Sequence, residues 1–164
     1  MRKYLQIVDR HKASAGIRFA NFFLDRIFIQ VIYYSLIFIF AVIYAVIYGE
    51  ELDTENNTVT FVFVFMYLAI SFSYFYFMEY YLGKTIAKFI TSTKVISIDG
   101  NKPTPKQIIA RTFSRAVPFD SLSFLGQNGW HDSWSDTRVI DIKNYEAEKQ
   151  TKSDIDSLGN KEIA

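Results

Sequence analysis

Arg18, Asn21 and Asp25 recur at spacings of three and four within an otherwise apolar stretch. Seven helical residues advance about 700°, which returns Asp25 to within about 20° of Arg18, so the three share one helix face. Another acid, Glu79, closes the second long apolar stretch, and Arg111, Arg115 and Asp132 follow in the charged half of the chain. Ionisable groups at or inside a membrane boundary are costly unless they pair or face a polar cavity, which makes them functional candidates by default. The set Arg18, Asp25, Glu79 and Asp132 therefore has two readings. As a satisfied ion-pair network, it docks the second half of the chain onto the apolar helices. As a site, it uses a carboxylate of Asp25 or Glu79 to take up a cation or a proton on a transport path, with Arg18 modulating it. Burial raises the pKa of such a carboxyl and a neighbouring arginine lowers it, and the balance decides whether it titrates near neutral pH.

Other chemistries have less to stand on. Gly83-Lys84-Thr85 lacks the glycine that a phosphate-binding loop needs five positions earlier, where Met78 stands. His131, Asp132 and Asp136 form a weak metal set, since the other histidine, His11, is distant in sequence. No cysteine is present, so no disulfide, thiolate nucleophile or zinc-thiolate site arises. No Ser/His/Asp constellation or Gly-rich cradle is visible, and neither an enzyme nor a cofactor is expected. A formal charge of +1 gives no basic field for nucleic acid.

The elements that must position the charges are two apolar runs. Half of the 164 residues are hydrophobic, and the mean hydropathy of +0.08 averages two very apolar blocks with a charged half. The first span is expected over about 18–48, with an uncharged part, Ile27 to Tyr48, of roughly 33 Å as helix; the second over about 59–82, roughly 36 Å. The first should persist as an uncleaved anchor, because it is far longer than a signal-peptide core. Gly49 to Thr58 is acidic and carries no Lys or Arg, whereas Arg2, Lys3, Arg10 and Lys12 precede the first span and seven Lys or Arg residues follow the second by Arg115. The positive-inside rule then puts both termini in the cytoplasm. Tyr44 and Tyr48 at one end, and Tyr76, Tyr80 and Tyr81 at the other, suit an aromatic belt. Ala41/Ala45 and Ala69/Ser73 are small pairs at a spacing of four that permit close helix approach.

After Gly83 the pattern changes. A lead-in helix at 1–17, a helix in Lys84–Thr93 with Ile86, Phe89 and Ile90 on one face, and a basic amphipathic helix to about Ala116 are expected at the interface. Lys84, Lys88, Arg111 and Arg115 would there contact anionic lipid or a partner. The last helix has a start signal in Thr104, Pro105 and Gln107. Between these helices lie a strand-like run, KVISI, and a turn at Asp99-Gly100. Residues 116–129 are too short to cross and read as re-entrant or interfacial. Trp130 to Ile142 is amphipathic, and the charge-rich remainder, 141–164, reads as a mobile polar tail.

Laid out this way, the chain resembles the RDD family of small bacterial membrane proteins, named for an Arg and two Asp residues. Arg18-x-x-Asn21-x-x-x-Asp25 looks like the family's opening motif, and Asp132, within Trp130 to Val139, looks like the second Asp. Glu79, Gly83-Lys84-Thr85, Lys88, Val95, Asp99-Gly100, Arg111, Arg115 and Pro118 fall in the intervening order, with Ala87 replacing a usual glycine. The resemblance implies a bacterial inner-membrane protein serving transport, with sodium/proton exchange as one activity linked to the family. The resulting expectation is an all-α membrane protein: an antiparallel two-helix transmembrane hairpin with interfacial or re-entrant helices on the cytoplasmic side, over residues 1–140. Two spans enclose no path, so transport would require a homo-oligomer or another membrane protein in addition to membrane lipid. The alternative is a non-transporting accessory or assembly subunit of a membrane complex.

Overall fold

The computed structural model describes residues 7–54, 56–115, 117 and 129–162. Its longest element, α1 (Ala15–Tyr48), starts where Ser14 Oγ accepts the amide of Ile17, and it stops at Gly49, whose φ of 72° suits a residue without a side chain. At about 1.5 Å per residue its 34 residues run roughly 50 Å, more than a bilayer core needs. The surplus is the N-terminal part that carries Arg18, Asn21 and Asp25. The second long helix, α2 (Asn57–Phe77), is capped by Asn56 Oδ1 on the Thr58 amide and continues without a break into a π-helical turn, Met78–Leu82. The contacts between α1 and α2 run in opposite chain directions: Asp25 meets Tyr74, and Tyr33 meets Phe63 further along. Large apolar side chains point outward over most of both helices, with Val46 81%, Phe65 74% and Phe38 69% exposed. Patches of that extent are not tolerated by water and mark a surface built for lipid or for other helices.

The remaining described residues form a cap on the Arg18 end of this pair. It comprises α3 (Ile86–Ile90), β1 (Thr93–Ser97), α4 (Pro105–Ser114), α5 (Trp130–Trp134), β2 (Thr137–Asp141) and α6 (Ile142–Glu162). The expected all-α architecture needs correction here, because β1 and β2 pair antiparallel, with Val95 opposite Val139 and Lys94 opposite Ile140. Their β-branched residues Val95, Ile96, Val139 and Ile140 are buried, which favours a pleated pair. The Asp99-Gly100 turn forms, with Gly100 at φ 78° and its amide on Ser97 O, but the chain does not fold back there into a hairpin partner. The free edge of β2 is covered by the lead-in: Ala13 N donates to Val139 O and Asp141 N to His11 O. The small apolar core beneath is Val8, Ile96, Ile140 and Tyr145.

Tyr145 belongs to the segment expected to be a mobile tail, which is instead helical from Ile142 to Glu162. Asp141 Oδ1 caps it by accepting the Asn144 amide, Tyr145 anchors its first turn in the core, and Glu148 pairs with Arg10 and His11. The expected segment 116–129 lies outside the described residues except for its positions 117 and 129.

Candidate functional site

Where the cap meets α1 and α2, the interior is charged. Arg18, Asn21 and Asp25 are all buried, as their shared helix face requires. Asp25 accepts three hydrogen bonds from uncharged donors: Tyr74 Oη at 2.7 Å, Thr85 Oγ1 at 2.7 Å and the Ala87 amide at 3.2 Å. Tyr74 Oη also accepts the Ile86 amide at 3.1 Å. Asp25 and Tyr74 thus take two of the open N–H groups at the start of α3, holding it against the long helices. Asn21 fixes the next joint, accepting from Thr91 Oγ1 at 2.7 Å and donating to Thr93 Oγ1 at 3.0 Å.

Glu79 is brought inward by the π-helical turn and is fully buried. Its carboxylate receives Lys88 Nζ at 2.5 Å, Arg115 Nη2 at 2.6 Å and Arg111 Nε at 3.0 Å. Arg111 continues to Asp132, with which its Nη1 makes an ion pair, and to Thr137 Oγ1 at 2.8 Å. Arg18 Nη1 lies 3.8 Å from the other carboxylate oxygen, Oδ2, and His131 Nε2 lies 3.8 Å from the Oδ1 that Arg111 holds. One guanidinium therefore bridges the acid of α2 to the acid of α5. The capping box expected at Thr104 and Gln107 forms, and it sets the register of α4 that points Arg111 inward.

Around these groups lies a space of about 20 Å³, lined by Arg18, Asp25, Lys88, Arg111, Arg115 and His131, which is room for a single water. Among the described residues, four obligate or strong bases, Arg18, Lys88, Arg111 and Arg115, face three carboxylates, Asp25, Glu79 and Asp132. Burial pushes the Lys88 ammonium down to about 8, against the opposing pull of Glu79. For Asp132, burial acts upward, but Arg111 and the neighbouring positive charges outweigh it and hold the carboxyl at about 2.

All four residues of the expected network converge, and so do Arg111 and Arg115. Lys88 and Arg111, expected as lipid- or partner-facing contacts, are instead buried, at 2% and 0% exposure. The reason is an inverted polarity. Phe89 and Ile90 on α3, and Phe113 on α4, are exposed, leaving the basic faces to turn inward onto Glu79. Lys84 stays outside the cluster, its Nζ 5.3 Å from the Phe89 ring centre. Tyr74, Thr85 and Thr137 carry site hydrogen bonds that sequence reasoning did not assign. Thr85 sits within the Gly-Lys-Thr run, whereas Tyr74 is one aromatic among many and offers no separate signal. Among the described residues no group of three His, Asp or Glu side chains is arranged to hold a metal ion.

No curated protein and no solved structure matches the chain. The model of the RDD family matches residues 12–137, a stretch that contains Arg18, Asp25, Glu79, Lys88, Arg111 and Asp132. With most of its length matched, and with two long, apolar, outward-facing helices, this membrane protein belongs to the RDD family.

Proposed function

We propose that the protein is an assembly subunit of the bacterial inner membrane. In this reading α1 and α2 cross the bilayer as an antiparallel hairpin, the cap rests on the cytoplasmic face, and both termini are cytoplasmic. The unit works by associating with copies of itself or with another membrane protein, and no enzymatic step is part of it. One observation carries the reading: each buried carboxylate is already held by donors from the chain itself. Asp25 has three neutral donors, Glu79 three cations, and Asp132 the Arg111 guanidinium with Arg18 nearby. A travelling cation would have to displace those donors. Residues 27–48 and 57–78 contain no charged side chain, so a lone pair of spans offers no polar route.

A second reading, cation or proton exchange by an oligomer, draws support from the water-sized space beside Asp25 and Lys88. Lys88 would then be the exchangeable group, since the arginines keep their protons and each carboxylate already accepts at least one donor of the chain.

The deciding experiment is reconstitution of purified protein into liposomes carrying pH- and sodium-sensitive dyes, with cross-linking in native membranes to record what it assembles with. Stable assembly without flux supports the subunit reading. Proton flux that depends on sodium and disappears in Lys88→Met would replace it with exchange.

A further inference from the structure

A lateral groove of about 470 Å³ opens between α1, α2 and α4, outside the charge cluster. Phe65, Leu68, Phe72, Phe75 and Phe113 form its walls, and the small residues Ala69 and Ser73 form part of its lining on α2. Two guanidiniums also line it. Arg115 lies with its guanidinium carbon 4.0 Å from the Phe75 ring centre while it binds Glu79. Arg26 is exposed, sits over the Phe22 ring at 5.4 Å and donates to Tyr67 Oη at 2.7 Å. Among the described residues it forms no ion pair. Arg26 is also the last charged residue before the uncharged run 27–48, which places it at the boundary of the hydrocarbon if α1 spans.

We infer that this groove binds one anionic phospholipid, its acyl chain along the Phe-lined face of α2 and its phosphate on Arg26, with Arg115 adding positive field from the wall. The inference rests on the membrane-spanning part of the proposed function. Three features select this occupant. The groove has the volume of a small-ligand site, while a helix about 10 Å across occupies roughly 400 Å³ per turn, so a spanning partner helix would not fit into it. Its polar lining includes a boundary guanidinium, Arg26, that has no carboxylate partner among the described residues, and a phosphate diester complements it in charge and geometry. Arg115, in the groove wall while it binds Glu79, puts a second guanidinium beside that position, which favours an anionic headgroup over one that brings its own ammonium.

The test uses the full chain in nanodiscs of equal phosphatidylglycerol and phosphatidylcholine, with the retained lipid identified by native mass spectrometry after detergent release. Wild type should retain phosphatidylglycerol over phosphatidylcholine. Arg26→Gln should lower that preference about fivefold, and Ala69→Leu, which narrows the groove, should reduce retention of both lipids. Unchanged tryptophan emission in each variant checks that the cap is intact. Equal selectivity in wild type and Arg26→Gln, no retained lipid, or a second copy of the chain covering the groove overturns the inference alone. Recovery of the protein outside the alkali-resistant membrane fraction overturns the membrane-spanning reading with it.

Discussion

Glu79→Gln and Lys88→Met remove the two ends of the same 2.5 Å ion pair, yet they should differ sharply in cost. Among the described residues, Glu79 is the carboxylate within ion-pair distance of Lys88 and Arg115, and it also pairs with Arg111. Glutamine keeps the shape but leaves three buried cations facing a neutral group whose NH2 is itself a donor. Breaking a buried pair from one side typically costs about 3–5 kcal/mol, and a carboxylate shared by three bases belongs at the upper end. Lys88→Met does the opposite. Glu79 keeps Arg111 at 3.0 Å and Arg115 at 2.6 Å, the surplus cation disappears, and the flexible methionine refills the volume of the lysine stem. Its cost should stay within about 1 kcal/mol. The difference, at least about 2 kcal/mol, is a factor of roughly thirty in the folding equilibrium. The two tryptophans, Trp130 and Trp134, stack on α5 with ring centres 5.8 Å apart, next to Asp132, so their fluorescence reports whether the cap is docked. Titration of purified protein with SDS in mixed micelles, followed by this emission, gives the two midpoints. Lys88→Met as damaging as Glu79→Gln would refute the charge balance drawn for the cluster.

Acid should undock the cap late. Asp132 is lowered from 3.8 to about 2 in the folded chain, so its contribution of about 2 kcal/mol is complete above pH 3.8 and lost as pH falls through about 2; tryptophan emission should show a low-pH loss that Asp132→Asn lacks. Lys88 works in the other direction. With its folded value lowered from 10.5 to about 8, the unfolded chain holds the extra proton between those limits, so stability should rise from pH 8 to 10.5 in wild type and not in Lys88→Met. Asp25→Asn presents an NH2 to a site built of three donors and should cost about 2 kcal/mol in the same SDS titration, with α3 loosening first by hydrogen exchange. Thr104→Ala removes one half of the capping box and should cost about 1 kcal/mol without moving the Lys88 titration.

The parts of this arrangement legible in the sequence are those governed by local periodicity. Arg18, Asn21 and Asp25 share a face because an α-helix turns 3.6 residues at a time, and Thr104 with Gln107 states its own cap. Lys88 and Arg111 depart from the interfacial expectation because the side of each helix opposite the exposed Phe89, Ile90 and Phe113 meets Glu79 and not headgroups or a partner. Once the apolar side can rest on a bilayer, the same periodicity fits either orientation, and only the position of Glu79 decides. The pairing of β1 with β2 spans about forty residues and leaves no local trace. Nor does the π-helical turn that tips Glu79 inward, since Met78 to Leu82 continues the apolar and aromatic run of α2. The helix after Asp141 was hidden by its polar composition, because a single residue, Tyr145, anchors its first turn.

The order in which the cluster's members are synthesised differs from the order in which they need one another. Arg18 leaves the ribosome first, but Asp132, which it faces at 3.8 Å, is made roughly 110 residues later, a delay on the order of ten seconds at typical elongation rates. During that interval neither Arg18 nor Arg111 has the carboxylate of Asp132 beside it. A chain cut short before α5 therefore lacks one of the three carboxylates that face these bases among the described residues. The late arrival of one aspartate turns the interior of the cap into a record of whether synthesis has passed α5.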